Sequence, residues 1–464
     1  MAKGAVFMTQ EQSPHGVVQL RTALATQSQT AAAIVAEYLQ RIAQQNETLR
    51  AYLHVCTEQA ERHAIALDGL ASGYPEALGP LAGVPVSIKD LIDTTFAPTT
   101  YGQAKYQGHV PKATAVCVQR LQSAHAIIMG KAHLHEFAFG VTNENPHFGP
   151  ARNPFNPSRI TGGSSGGSAA SVAAGMALVS VGTDTGGSVR IPAALTGVVG
   201  FKPTFGAIPT DGVYPLAPSL DHVGSFATSV LDAARTAEVM AGLAPGTWSQ
   251  VDAQADTAHP IRAGLVQSLV DAYASEDVSE WFTAICTRLS RERVVAVAGF
   301  VPVDGEEIAI HQGNILGAEA YATHAQALAN HAADYGSDVA ARLQAGRDVS
   351  AADYIASLTF QRAFRTTMDD FLQQYDCLLL PTVPVPAPPL GAETVTVRGK
   401  SEAVRPLLTR FTNPWNLSGL PAISIPAGNV DGLPMGLQII GPRGQDAKLV
   451  HMAHIIETAL QNVL

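Results

Sequence analysis

The chain has 464 residues, of which 46% are hydrophobic and 15% charged, with a formal net charge of −10. That length and apolar content can bury a large core, while the acidic balance argues against nucleic acid as a direct substrate, because binding phosphates needs a basic face. Cys56, Cys117, Cys286 and Cys377 are widely separated with no CxxC pair, so they read as reduced core residues rather than a disulfide framework or a zinc site.

In chain order, the first apolar run is too short for a signal peptide, and no stretch offers the about 20 uninterrupted apolar residues of a membrane span. A cytoplasmic protein is expected, with residues 1–14 loosely ordered. Residues 30–45 carry Ile34, Val35, Tyr38, Leu39 and Ile42 at helical spacing, which predicts an amphipathic helix. In residues 83–90, GVPVSIKD, Val84, Val86 and Ile88 alternate with small residues, which predicts a strand that ends on Lys89.

His133 and His135 follow in GKAHLHEFAFG, residues 130–140. On a strand, HxH puts both imidazoles on one face, a ligand spacing that metal-dependent amidohydrolases use. Such a site needs further ligands, and no second compact cluster accompanies this one; His451 and His454 fall on a C-terminal helical pattern. A structural role is expected, with no metal.

The most informative stretch is GGSSGGSAASVAAGMALVSVGTDTGGSVR, residues 162–190. Two Gly/Ser-rich turns flank a run of small apolar residues, and residues 169–181 read as a short buried helix followed by a strand. The turns are therefore mounted on packed elements rather than on a flexible linker. A phosphate-binding loop is excluded, since neither turn places a lysine after its glycines. Residues 162–166 satisfy GxSxG, but a nucleophile elbow follows a strand directly. Here the ten preceding residues carry Pro154 and Pro157 among turn formers and read as a loop.

Beyond the second turn, residues 242–375 read as mostly helical, and residues 242–311 are the most variable part. Their opening, 242–260, is rich in Pro, Gly and Asp and predicts a surface loop. Ser350 can cap a long helix with Asp353 three residues on, and Tyr354, Leu358, Phe364, Met368, Phe371 and Leu372 fall on or near one face. Pro384, Pro386, Pro388 and Pro389 stiffen the segment that follows.

The lysine motif and the two glycine turns, in that order, resemble the signature of the amidase signature family of serine hydrolases. The resemblance continues through GFKPTFG (200–206), SLDHVGSFA (219–227), LLLPTVP (378–384), NLSGLPAISIP (416–426) and GLPMGLQIIG (432–441), nearly the whole chain. It implies an α/β fold with a central mixed, twisted sheet covered by helices on both faces. One domain would span residues 1–464, with its signature core at 83–227.

Carried over residue by residue, the family's mechanism implies Ser188 as nucleophile, Ser164 as a relay whose preceding peptide bond is cis, and Lys89 as base. A serine hydroxyl needs an adjacent base, and a lysine can serve only when burial keeps it neutral. The resemblance also implies an oxyanion hole from the N–H groups of Thr185, Gly186, Gly187 and Ser188. Ser165, Asp184 and Arg190 would supply hydrogen bonds that hold the two turns together, and no cofactor is required.

The substrate reading divides. A stand-alone bacterial amidase would take a small-molecule amide, ester or carbamate, working as a monomer or homodimer, with no nucleic-acid or membrane partner. The alternative is the glutamine-hydrolysing subunit of the tRNA-dependent amidotransferase. In that branch an acidic residue stands seven positions before the asparagine of the NLxGLP motif, where this chain has Thr409. A buried ammonium without its carboxylate is poorly bound, which favours the stand-alone reading. Arg362 and Arg365 remain as residues for a substrate carboxylate, though a solvated helix face accounts for them as well.

Overall fold

The computed structural model describes residues 16–250 and 259–461. The expected loose terminus at 1–14 lies outside these, as do residues 251–258 of the expected loop.

One eleven-stranded sheet organises the chain. Its strands lie side by side in the order Tyr52–Val55, Ile127–Ala132, Pro85–Lys89, Val179–Asp184, His222–Ala227, Val199–Lys202, Ala422–Val430, Leu433–Ile440, Cys377–Pro381, Ile261–Leu265 and Val295–Phe300. Pro85–Lys89 runs parallel to both neighbours, and the last three strands are mutually parallel. The remaining pairs are antiparallel, so the sheet is mixed, and it is flanked by helices. Every residue of Pro85–Lys89 and of Val179–Asp184 is buried. Strands covered on both faces read as continuous small and apolar runs, as PVSIK and VSVGTD do.

The helix read at 30–45 forms as Ala31–Leu49, with the Thr30 hydroxyl accepting from the Ala33 N–H at 3.1 Å and Ile34, Val35, Tyr38 and Ile42 buried. It runs beyond Gln45 because Gln45 to Leu49 are tolerated in a helix and the first left-handed residue is Arg50, with φ 50°. Ser350 caps Ala351–Gln374 as read, accepting from the Asp353 N–H at 3.0 Å.

Residues 242–375 are mostly helical, with five helices between Gln267 and Gln374, but two strands that the sequence did not announce lie among them. Ile261–Leu265 and Val295–Phe300 extend the sheet to its far edge, and runs of five and six residues are too short to display a strand period against their helical flanks. The described part of the 242–260 loop is pinned. The buried Glu238 carboxylate accepts from the N–H groups of Gly246, Trp248 and Ser249 at 2.9 to 3.1 Å, and Trp248 meets Phe201 edge to face. All four cysteines are free and buried.

Candidate active site

Lys89 closes one buried strand and Thr183 and Asp184 close its parallel neighbour. The register pairs Ser87 with Ser180 and Ile88 with Val181, so the two strands deliver Lys89 and Thr183 side by side at one edge of the sheet. Ligands of open α/β sheets bind beyond the carboxyl ends of such strands. Ser164 arrives from the loop that starts the Gly166–Ala173 helix. That helix lies close against the backbone, where a Cβ on Gly167 would stand 2.4 Å from His133 N and 2.5 Å from Ala51 O. The Gly163–Ser164 peptide bond is cis.

The side chains meet there. Lys89 Nζ lies 2.7 Å from Ser164 Oγ and 2.7 Å from Thr183 Oγ1, in full burial. Burial lowers the Lys89 pKa from 10.5 to about 7, against a smaller opposing pull from the Asp184 and Asp221 carboxylates. The neutral amine is thus within reach near neutral pH. Ser188 joins through its backbone, its carbonyl accepting from the Ser165 N–H at 3.3 Å. The Ser188 hydroxyl makes no hydrogen bond among the described residues, and the residue keeps 5% exposure beside the more open Gly186.

The second turn is built around Asp184. Its carboxylate accepts from the N–H groups of Gly187 (2.8 Å) and Val189 (3.1 Å), from Arg190 Nε (3.0 Å) and Nη2 (2.9 Å), and from Asn416 Nδ2 (2.8 Å). Burial opposes its charge, but the Arg190 guanidinium and these donors hold the carboxyl well below the usual carboxylate range. Arg190 spends its remaining donors on Thr412 O, Gln438 Oε1 and Asn416 Oδ1. Gly187 needs its φ of +124°, and a Cβ there would stand 2.3 Å from Thr412 Oγ1.

One residue of the implied oxyanion hole is otherwise engaged. The Gly187 N–H points to Asp184 Oδ1, because the turn folds back on the strand end that it leaves. The N–H groups of Thr185, Gly186 and Ser188 carry no hydrogen bond among the described residues, leaving three donors at the turn. The Ser165 hydroxyl donates to Thr183 O at 3.1 Å, on the strand that leads into the second turn.

The histidine pair differs from the strand reading. The strand stops at Ala132, and past it the two imidazoles diverge: His133 Nδ1 lies 2.9 Å from Asn143 Nδ2, and His135 Nε2 lies 3.1 Å from Asp338 Oδ2. The described residues hold no group of three or more His, Cys, Asp or Glu side chains arranged for a metal. The backbone of His135 does contribute, donating to Ser164 O at 3.0 Å.

Thr183, Asn416, Thr412 and Gln312 contact the site although sequence reasoning does not single them out. Asn416 opens the NLSGLPAISIP segment and Thr183 directly precedes Asp184, so both had a local signal. Gln312 lies in no recognisable motif and carried none. Arg362 is exposed and donates to Thr359 Oγ1, and Arg365 packs over Phe205 and donates to Leu417 O.

The family model described as Amidase matches residues 33–450. The chain belongs to the amidase signature family. Among curated relatives of this amidase, a glutamyl-tRNA(Gln) amidotransferase subunit from Acidothermus cellulolyticus is 35% identical, over 95% of this chain and 94% of that one. A crystal structure of an amidase is 33% identical and superposes with a TM-score of 0.87, covering 96% of this chain and 100% of its own. The corresponding glutamyl-tRNA(Gln) amidotransferase subunit from Thermotoga maritima is 31% identical with a TM-score of 0.75, covering 92% and 91%. As a family member the protein is an enzyme acting on C–N amide bonds.

Proposed function

We propose that this amidase cleaves its substrate through an acyl-enzyme on Ser188, with Ser164 as relay and Lys89 as base. The observation that carries the proposal is the buried Lys89 Nζ, 2.7 Å from Ser164 Oγ, with its pKa lowered to about 7. Ser188 Oγ attacks the carbonyl carbon as its proton passes to Ser164 and the Ser164 proton passes to Lys89. The oxygen of the tetrahedral intermediate then lies among the Thr185, Gly186 and Ser188 N–H groups. Collapse breaks the C–N bond as the proton returns through the relay to the leaving amine. Water then repeats the sequence, releasing the acid and restoring Ser188.

Two substrate readings have separate support. The names of the curated relatives favour glutamine hydrolysis within an amidotransferase that has partner subunits. The residues favour a stand-alone enzyme for small neutral amides, anilides or carbamates, with esters as accessory substrates. Thr409 is half-buried at the end of the Val404–Thr409 helix and offers no carboxylate, and the two arginines weighed for a substrate carboxylate are turned to other partners. The backbone also follows the amidase more closely than the Thermotoga maritima amidotransferase protein, at TM-scores of 0.87 and 0.75.

A serine-directed fluorophosphonate tests the mechanism. One label is expected at Ser188 and none on Ser188→Ala; a label on Ser164 or Ser165 would reassign the nucleophile. For the substrate, the purified chain is offered aryl amides, aryl carbamates, nitrophenyl esters and glutamine in parallel. Faster turnover of an aryl amide or carbamate than of glutamine is the stand-alone outcome. Glutaminase activity that appears only with partner subunits is the amidotransferase outcome.

A further inference from the structure

Each peptide of the 184–188 turn has its carbonyl held from behind. Asp184 O accepts from Asn416 Nδ2 at 2.9 Å, Thr185 O from Gln312 Nε2 at 3.1 Å, Gly186 O from Thr412 Oγ1 at 2.7 Å, and Gly187 O from the Ile191 N–H at 2.7 Å. In a planar trans peptide the carbonyl and the following N–H point in opposite directions, so holding the one aims the other. The carbonyl clamped by Gln312 belongs to the peptide that carries the Gly186 N–H.

Gln312 stands apart from the other three clamps. It comes from the Gly305–His331 helix, 127 residues along the chain from Thr185, whereas Asn416, Thr412 and Ile191 belong to elements already wrapped around Asp184 and Arg190. Its orientation is dictated: Thr185 O only accepts, so Nε2 must face it, and Nε2 also donates to Asn413 Oδ1 at 3.0 Å. Nε2 lies 3.4 Å from where a Cβ on Gly186 would stand, so the amide lies directly against the open part of the turn. Oε1 is buried and has no hydrogen-bond partner among the described residues. A buried acceptor left unpaired lowers stability, so a glutamine kept for packing alone would have both ends satisfied. Only the donor end of this one is used, and it is used on the turn.

We infer that Gln312 is a positioning residue that holds the Thr185–Gly186 peptide so that the Gly186 N–H points at the oxyanion of the reaction. The inference rests on the acyl-enzyme reading above. It makes the helical region after the signature core part of the rate-determining geometry of the glycine turn. Losing a donor outright costs ~100-fold or more in rate, and here the donor is only released from its clamp, so a smaller loss of ~10-fold is expected.

The test uses the full chain and an aryl fluorophosphonate, whose P=O oxygen occupies the oxyanion position while Ser188 Oγ displaces fluoride. Gln312→Leu should label ~10-fold more slowly, with its pH midpoint unchanged and its melting temperature equal to or above that of the wild type. Gln312→Glu, equal in length but with no hydrogen for Thr185 O when ionised, should lose at least as much. Labelling of either variant within twofold of the wild type overturns the inference. So does slower labelling accompanied by a fall of several degrees in melting temperature in both variants, which would make the residue structural. Ser188→Ala run in parallel separates the two levels: a label that persists on it defeats the acyl-enzyme reading itself.

Discussion

Lys89 Nζ lies 2.7 Å from Ser164 Oγ although 75 residues separate the two in the chain, and neither residue is open to solvent. Two other lysines are as deeply buried and are held differently. Lys131 faces the Asp90 carboxylate at 3.1 Å and donates to Ile92 O, and Lys202 donates to Leu420 O at 2.6 Å. Lys89 alone of the three has two hydroxyls as its hydrogen-bond partners. A hydroxyl can donate to a neutral amine as readily as it accepts from an ammonium, so this environment suits a lysine that gains and loses a proton.

The first prediction follows from that contrast. Amide turnover should rise with pH through about 7, where Lys89 becomes neutral, and then level off. Lys89→Ala should reduce amide turnover by ~100-fold or more while the protein stays folded, and ester turnover should suffer less because the leaving alcohol needs less help from a proton donor. The linkage has a definite sign. The folded pKa is lower than the unfolded 10.5, so the folded state binds fewer protons, and the cost to stability grows as pH falls from about 10.5 to about 7 and is constant below. Near-native amide turnover in Lys89→Ala with an unchanged pH profile would refute the base assignment.

A second prediction concerns Asp184 and Arg190, which are fully buried and 2.9 Å apart. Asp184→Asn removes the negative charge and leaves the guanidinium uncompensated, which should cost about 3–5 kcal/mol. Arg190→Lys should also destabilise, since one ammonium cannot reach Asp184, Thr412, Gln438 and Asn416 together. The Asp184 pKa is depressed, so its contribution is present above the unfolded value of 3.8 and is lost as pH falls from there towards the folded value. Thermal melts between neutral pH and pH 3 read both effects, and an Asp184→Asn variant that melts with the wild type would show that the pair does not hold the turn.

Metal independence is the third. The His133 ring is kept neutral by burial, which lowers its pKa to about 4, and it faces Asn143, while His135 is turned towards Asp338. Neither pair offers a shared coordination site. Prolonged treatment with a strong chelator should therefore leave hydrolysis unchanged. Activity lost to the chelator and restored by zinc would return attention to these two residues.

Much of the site was legible in the sequence because its chemistry is concentrated in short segments. Lys89, Ser164, Ser188, Asp184 and Arg190 could be named because the short motifs that hold them resemble the family's signature, in which glycines and small residues mark the places where backbone must turn tightly or approach closely. The buried strands were legible for a similar reason: Pro85–Lys89 and Val179–Asp184 are short apolar runs bounded by turns. What the sequence could not determine was any relation between distant segments. That Lys89 and Thr183 are neighbours follows from strand register, that the Gly187 N–H turns to Asp184 follows from the path of the turn, and that His133 and His135 part company follows from a strand that ends at Ala132. Gln312 is the extreme case, because it lies on a helix with no local signature and acquires its role only when packing brings it against Thr185. Local pattern reports what one segment requires of its own backbone, whereas a hydrogen bond across more than a hundred residues exists only once the core has fixed where both ends stand.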